Sequence, residues 1–90
     1  MKRVSQTKQF HRDVKRMRKR GKDLSKLQAL VRLLAHGSPL SPRHCDHPLL
    51  GAWAPSRDCH VEPDWILVYT PGIDTLLLER TGTHADLFGK

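Results

Sequence analysis

Apolar positions follow two different rhythms along the ninety residues, and the change from one to the other organises the chain. From Lys8 to Arg20, Phe10, Val14 and Met17 recur at four- and three-residue steps, and basic residues fill most positions between them. That spacing predicts an amphipathic helix, ended by Gly21. Asp23 is placed to cap a second helix, in which Leu24, Leu27, Leu30, Val31 and Leu34 share a face until Gly37 closes it. So short a connection predicts an antiparallel helical hairpin. Ser38-Pro39-Leu40-Ser41-Pro42 then breaks the helical pattern.

Past this break the pattern becomes sheet-like. Leu49 to Trp53 reads as a short strand and Arg57 to Val61 as a second. Trp65 to Tyr69 has no polar alternation, as expected of a central strand buried on both faces, and Thr75 to Arg80 returns beside it. Pro71-Gly72 suits a tight turn, and a turn centred near Gly72 brings Arg80 alongside Trp65. The loop Thr81-Gly82-Thr83-His84 then emerges on the same side as Asp64, and Ala85 to Phe88 makes a single helical turn. Residues 2 to 7 are polar and short, which leaves an edge strand there open. Helices first and strands afterwards predict an α+β fold, the helix pair laid on one face of a small antiparallel sheet. Residues 1–90 form one domain in this reading, since neither side of the Pro-rich break has enough apolar surface to fold alone.

Charge changes this picture more than composition does. The net charge of +7 is unevenly spread: residues 1 to 45 carry thirteen Lys/Arg against two Asp, and residues 46 to 90 carry three against seven Asp/Glu. A basic first half suits a polyanion, with nucleic acid favoured over a membrane surface because no long apolar face accompanies the charges. No run approaches the roughly 20 residues a span requires, and no apolar leader follows Met1. A cytoplasmic protein is expected, with Cys45 and Cys59 as reduced thiols.

Candidate chemistry gathers in the second half. Of six histidines, His44, His47, His60 and His84 all lie from residue 44 onward. Imidazole, with an unperturbed pKa of about 6.5, transfers protons both ways near neutrality. Cleaving RNA without a metal requires a base for the 2′-hydroxyl, an acid for the departing 5′-oxygen and a cation for the extra phosphorane charge. His47, His60, Asp64 and His84 are candidates for the first two roles, and Arg57 or Arg80 for the third. Trp65 and Phe88 are candidates to stack on an unpaired base, and Arg12, Lys15, Arg16, Lys19 and Arg20 to contact a larger RNA.

Each of these residues also has a bland explanation. His60 within a strand suits a satisfied core histidine, Trp65 and Phe88 suit core positions, and Asp64 after Pro63 suits a turn. Arg80 beside Glu79 suits a surface ion pair, and the basic helix a solvated face. Convergence on one end of the sheet is what favours the functional reading. Zinc is disfavoured by spacing: there is no Cys-x-x-Cys or His-x-x-x-His pair, and adjacent Cys59 and His60 point to opposite faces of a strand. No metal and no cofactor are expected.

Asp46-His47-Pro48-Leu49, Gly51-x-Trp53, Arg57-Asp58, His60-Val61-Glu62-Pro63-Asp64-Trp65-Ile66-Leu67 and Glu79-Arg80-Thr81-Gly82-Thr83-His84-Ala85, followed by Leu87-Phe88-Gly89, resemble the YafQ-type toxins of the RelE/ParE superfamily. The resemblance extends to the basic helix and to Lys22-Asp23-Leu24, so it covers nearly the whole chain. It implies a RelE-like fold and a ribosome-dependent endoribonuclease, the toxin of a bacterial type II toxin-antitoxin module, cutting translated mRNA in the ribosomal A site. It implies acid/base roles for His47, His60, Asp64 and His84, with Arg80, Trp65 and Phe88 assisting, and an antitoxin partner with a ribbon-helix-helix part, through which alone operator DNA is bound. Ala54-Pro55-Ser56 departs from the glycine-containing turn usual in the family and leaves the approach to Arg57 open. Two other readings fit the same basic helices: a non-catalytic RNA-binding domain, and a ParE-like gyrase poison. Neither needs the histidines.

Overall fold

The computed structural model describes residues 1–89. Strand β1 (Arg3–Gln6) leads into helix α1 (Lys8–Lys19) and helix α2 (Leu24–Ala35). Strands β2 (His47–Pro48), β3 (Arg57–Glu62), β4 (Trp65–Pro71) and β5 (Thr75–Gly82) follow, and helix α3 (His84–Phe88) closes the chain. All five strands form one sheet in the order β1-β5-β4-β3-β2.

The second helix starts at the cap expected from Asp23, and the first starts at a cap the sequence reading did not name, Thr7. The Thr7 hydroxyl accepts from the Phe10 amide and the Asp23 carboxylate from the Ser25 amide, each satisfying an otherwise orphaned N–H. The helices cover one face of the sheet, where Phe10, Met17, Leu27 and Leu30 pack with Cys59, Trp65, Leu67, Tyr69, Leu76 and Leu78. Glu62 adds two ion pairs to this layer, with Lys22 at 3.0 Å and Lys26 at 2.9 Å. The other face has a smaller cluster in which Ile66 and Val68 meet Leu87, with Leu49, Trp53 and Phe88 packed around it. Strand β4 feeds both clusters by alternation, which is why its sequence shows no polar partner positions.

Three expectations need correction. The sheet is mixed, because β1 runs parallel to β5, pairing Arg3 with Thr75 through Gln6 with Leu78; all four β1 residues are exposed, so no apolar alternation announced it. Leu49 to Trp53 is not a strand: pairing stops at Pro48, and a one-turn 3₁₀ helix occupies Gly51–Trp53, entered through Gly51 at φ 66°. The Leu49 amide donates to the Ser56 carbonyl and the Ser56 amide to the Trp53 carbonyl, which closes the loop before Arg57. Finally, Arg80 lies opposite Val68, not Trp65, because the turn is the longer Gly72-Ile73-Asp74 segment and the ladder skips Glu79 as a bulge.

Candidate active site

Strand register assembles most of the candidate chemistry. His47 pairs with Asp58, Asp58 with Val68 and Val68 with Arg80, so they share one cross-strand row; His47 and Asp58 lie on the face opposite the long helices, and the Arg80 guanidinium reaches Asp13 of α1 at 2.7 Å. The next row holds His60, Ile66 and Gly82, and His84 follows Gly82 as the first residue of α3. The Thr83 hydroxyl and the Asp86 carboxylate form a reciprocal capping box, which fixes where His84 leaves the sheet.

The three histidines differ in what holds them. His84 Nδ1 is 2.6 Å from Asp64 Oδ1, an oxygen that also accepts from the His84 amide at 3.0 Å. These two hydrogen bonds hold Asp64 below the usual carboxylate range. An ionised Asp64 fixes the proton on Nδ1 and leaves Nε2 as the working nitrogen. The His60 ring meets that of His84 edge-on, with centroids 5.5 Å apart, and its nitrogens make no hydrogen bond among the described residues. His60 is anchored by its backbone instead, since its carbonyl accepts from His44 at 2.7 Å.

His47 lies between two acceptors. Its Nδ1 is 2.7 Å from the Cys45 carbonyl and its Nε2 is 3.0 Å from Asp58 Oδ1. A carbonyl only accepts, so Nδ1 carries the proton toward Cys45, whereas the 3.0 Å approach of Nε2 is not aligned as a hydrogen bond and leaves Asp58 Oδ1 buried without a donor among the described residues. Burial pushes the Asp58 carboxyl above its ordinary value, opposed by the neighbouring His47, His60 and His84. Asp58 is the principal residue that sequence reasoning missed. The signal was available: Asp58 and His60 are two residues apart on a strand and share a face, whereas Arg57 does not.

Several assigned residues are elsewhere. Trp65 is fully buried in the helix-side core, its indole N–H donating to Thr81 Oγ1 at 2.9 Å, so it presents no face to a base. Arg57 pairs in register with Tyr69 on that same side and binds Asp46 at 3.4 Å, away from the histidine rows. Phe88 keeps its assigned neighbourhood, half-buried with Trp53 at 5.6 Å and His84 at 6.3 Å between ring centroids. On α1, Arg16 is tied to Asp13 at 2.8 Å and Arg20 to Asp86 at 2.6 Å. Arg12, Lys15 and Lys19 are exposed. Among the described residues no three His, Cys, Asp or Glu side chains converge as a metal-ligand set, and no helix is long and apolar enough to cross a membrane.

The sequence model of the family described as "bacterial toxin of type II toxin-antitoxin system, YafQ" matches residues 2–89. The mRNA interferase toxin YafQ of Escherichia coli K12 is 52% identical over 82 residues, covering 90% of this chain and 89% of that protein. The fold superimposes on the toxin of the E. coli DinJ-YafQ complex with a TM-score of 0.92, at 48% identity over 99% of this chain and 100% of that one. A metal-bound toxin from Helicobacter pylori gives 0.91 at 41% identity, over 98% and 100% of the two chains.

Proposed function

The chain belongs to the YafQ family of bacterial type II toxin-antitoxin toxins and is an mRNA interferase; from that premise we propose that it cuts translated mRNA in the ribosomal A site by metal-independent acid/base catalysis. The observation that carries the chemistry is the convergence of His47, His60 and His84 around the buried Asp58 at one end of one sheet face. An imidazole removes the 2′-hydroxyl proton, the oxygen attacks the adjacent phosphorus, and the P–O5′ bond breaks as a second group protonates the leaving oxygen. The products are a 2′,3′-cyclic phosphate and a free 5′-hydroxyl.

In this reading His84 Nε2 and the unbonded His60 ring exchange protons with RNA, since each has a nitrogen without a protein partner. His47 and Asp58 lie 3.0 Å apart beside the reaction and offset charge as it develops. Arg80 supplies the cation and Phe88 a face for a base next to His84. A cognate antitoxin of ribbon-helix-helix type holds the toxin silent in the bacterial cytoplasm, and operator DNA is reached only through it. Mapping mRNA 5′ ends after induction tests the reading. Codon-phased cuts that vanish with His84→Ala are expected, whereas cuts independent of His84, or intact mRNA, refute it.

A further inference from the structure

Asp13 is the most completely enclosed charge in the protein, fully buried on a helix whose basic residues face solvent or the sheet edge. Its two oxygens accept from Arg80 Nε at 2.7 Å, Arg80 Nη2 at 3.2 Å, Arg16 Nη2 at 2.8 Å and the Thr81 amide at 3.1 Å, with Gln9 Nε2 at 3.3 Å. A buried ion pair is a poor stabiliser compared with an apolar side chain of similar volume, so its presence calls for another reason. What such a pair does well is fix geometry. Nε and Nη2 form one edge of the guanidinium, and Asp13 grips that edge side-on. The opposite corner, Nη1, has no partner among the described residues.

The same helix also holds the other wall of the site. Arg20 grips both oxygens of Asp86, at 2.6 and 3.0 Å, and Asp86 sits on α3 between His84 and Phe88. Gly82 lies beneath the junction, where a Cβ would come within 3.0 Å of Asp86 and 3.3 Å of Arg16 Nη2. One face of α1 therefore reaches both the arginine of the first row and the short helix that carries His84.

We propose that Asp13 is a positioning residue of the nuclease, holding Arg80 so that its free Nη1 corner is presented to the scissile phosphate. The inference rests on the nuclease reading of the histidine rows, and it assigns to α1 a role in catalysis distinct from any RNA contact. Asp13→Asn keeps the shape but removes the charge and one acceptor oxygen. Single-turnover cleavage of mRNA on programmed ribosomes should fall on the order of 10- to 100-fold, with little change in half-saturating toxin concentration. In an Arg80→Ala background the same Asn substitution should change the rate less than about twofold, because its effect passes through Arg80.

Equal losses with and without Arg80, or a lowered melting temperature with an unchanged rate, overturn the proposal. So does full activity of Arg80→Ala, whereas intact mRNA with the wild-type protein refutes the nuclease reading itself. If Asp13→Asn is too unstable to assay, Arg80→Lys asks the same question from the other side. An ammonium offers no two-point edge to Asp13, so its rate should fall nearly as far as that of Arg80→Ala, and a near-wild-type rate overturns the proposal.

Discussion

Single side chains in this site are sorted by what each oxygen or nitrogen already bonds. His84 is half-exposed and held by an exposed aspartate, so removing it touches no core packing. His84→Ala should lower cleavage by about 10²- to 10⁴-fold, the usual contribution of a positioned proton donor or acceptor, with an unchanged thermal midpoint; coincident loss of both would place His84 in the fold instead. Asp58 behaves differently because its carboxyl is raised by burial. The folded state binds that proton more tightly than the unfolded one, so the stability linked to it is present in acid. It declines as pH rises from the unfolded value near 3.9 through the folded one. Asp58→Asn abolishes this decline, and the melting-temperature difference between the variant and wild type should move in the variant's favour as pH is raised through that range. A difference independent of pH would mean that Asp58 titrates alike in both states. Trp65 shows where residue-level reading failed: aromatic identity and position beside Asp64 suggested a platform, but strand alternation turns it into the helix-side core. Trp65→Phe should cost about 1–3 kcal/mol by leaving Thr81 Oγ1 without its donor, and should leave the cleavage rate of the folded protein within a few-fold of wild type.

At the scale of elements, legibility followed packing. Helices α1 and α2 were readable to within a residue or so because each buries one stripe and ends at a glycine, with Asp23 marking the start of α2. β4 was readable because both its faces are buried. β1 was not, since an exposed polar edge strand is defined by its hydrogen bonds to β5 and leaves no trace in hydropathy. The β4-β5 register depended on one bulge and one extra turn residue, neither of which has a fixed sequence signature, and that error is what misplaced Arg80. The five-residue helix α3 is too short to be stable alone. It is docked by Leu87, by the capping box and by the Arg20 grip on Asp86, whose carboxyl is pulled well below its usual range by the guanidinium. Gly82→Ala should therefore push α3 outward. The expected result is a loss of cleavage larger than the loss of stability, measured by parallel ribosome assays and thermal melts, because His84 and Phe88 move together.

Across the whole molecule, the charge asymmetry readable in the sequence divides into two populations that only the fold separates. Arg16, Arg20 and Arg80 are consumed by Asp13 and Asp86 inside the site's scaffold, and Lys22 and Lys26 by Glu62. Arg12, Lys15 and Lys19 remain on solvent, with Lys8 and Arg18 beside them, giving α1 an outward basic surface while on its inward face Asp13 binds Arg16 and Arg80. In the proposed reading, interactions of the first kind govern the chemical step and those of the second govern encounter with RNA, since phosphate neutralisation releases counterions and little of it is specific to the transition state. Replacing Arg12, Lys15 and Lys19 together with alanine should leave the melting temperature and the saturated cleavage rate near wild type. The half-saturating concentration on ribosomes should rise, and the slope of log affinity against log salt should become shallower by roughly one unit for each phosphate no longer neutralised. An unchanged salt slope would show that this face does not meet RNA, whatever its charge.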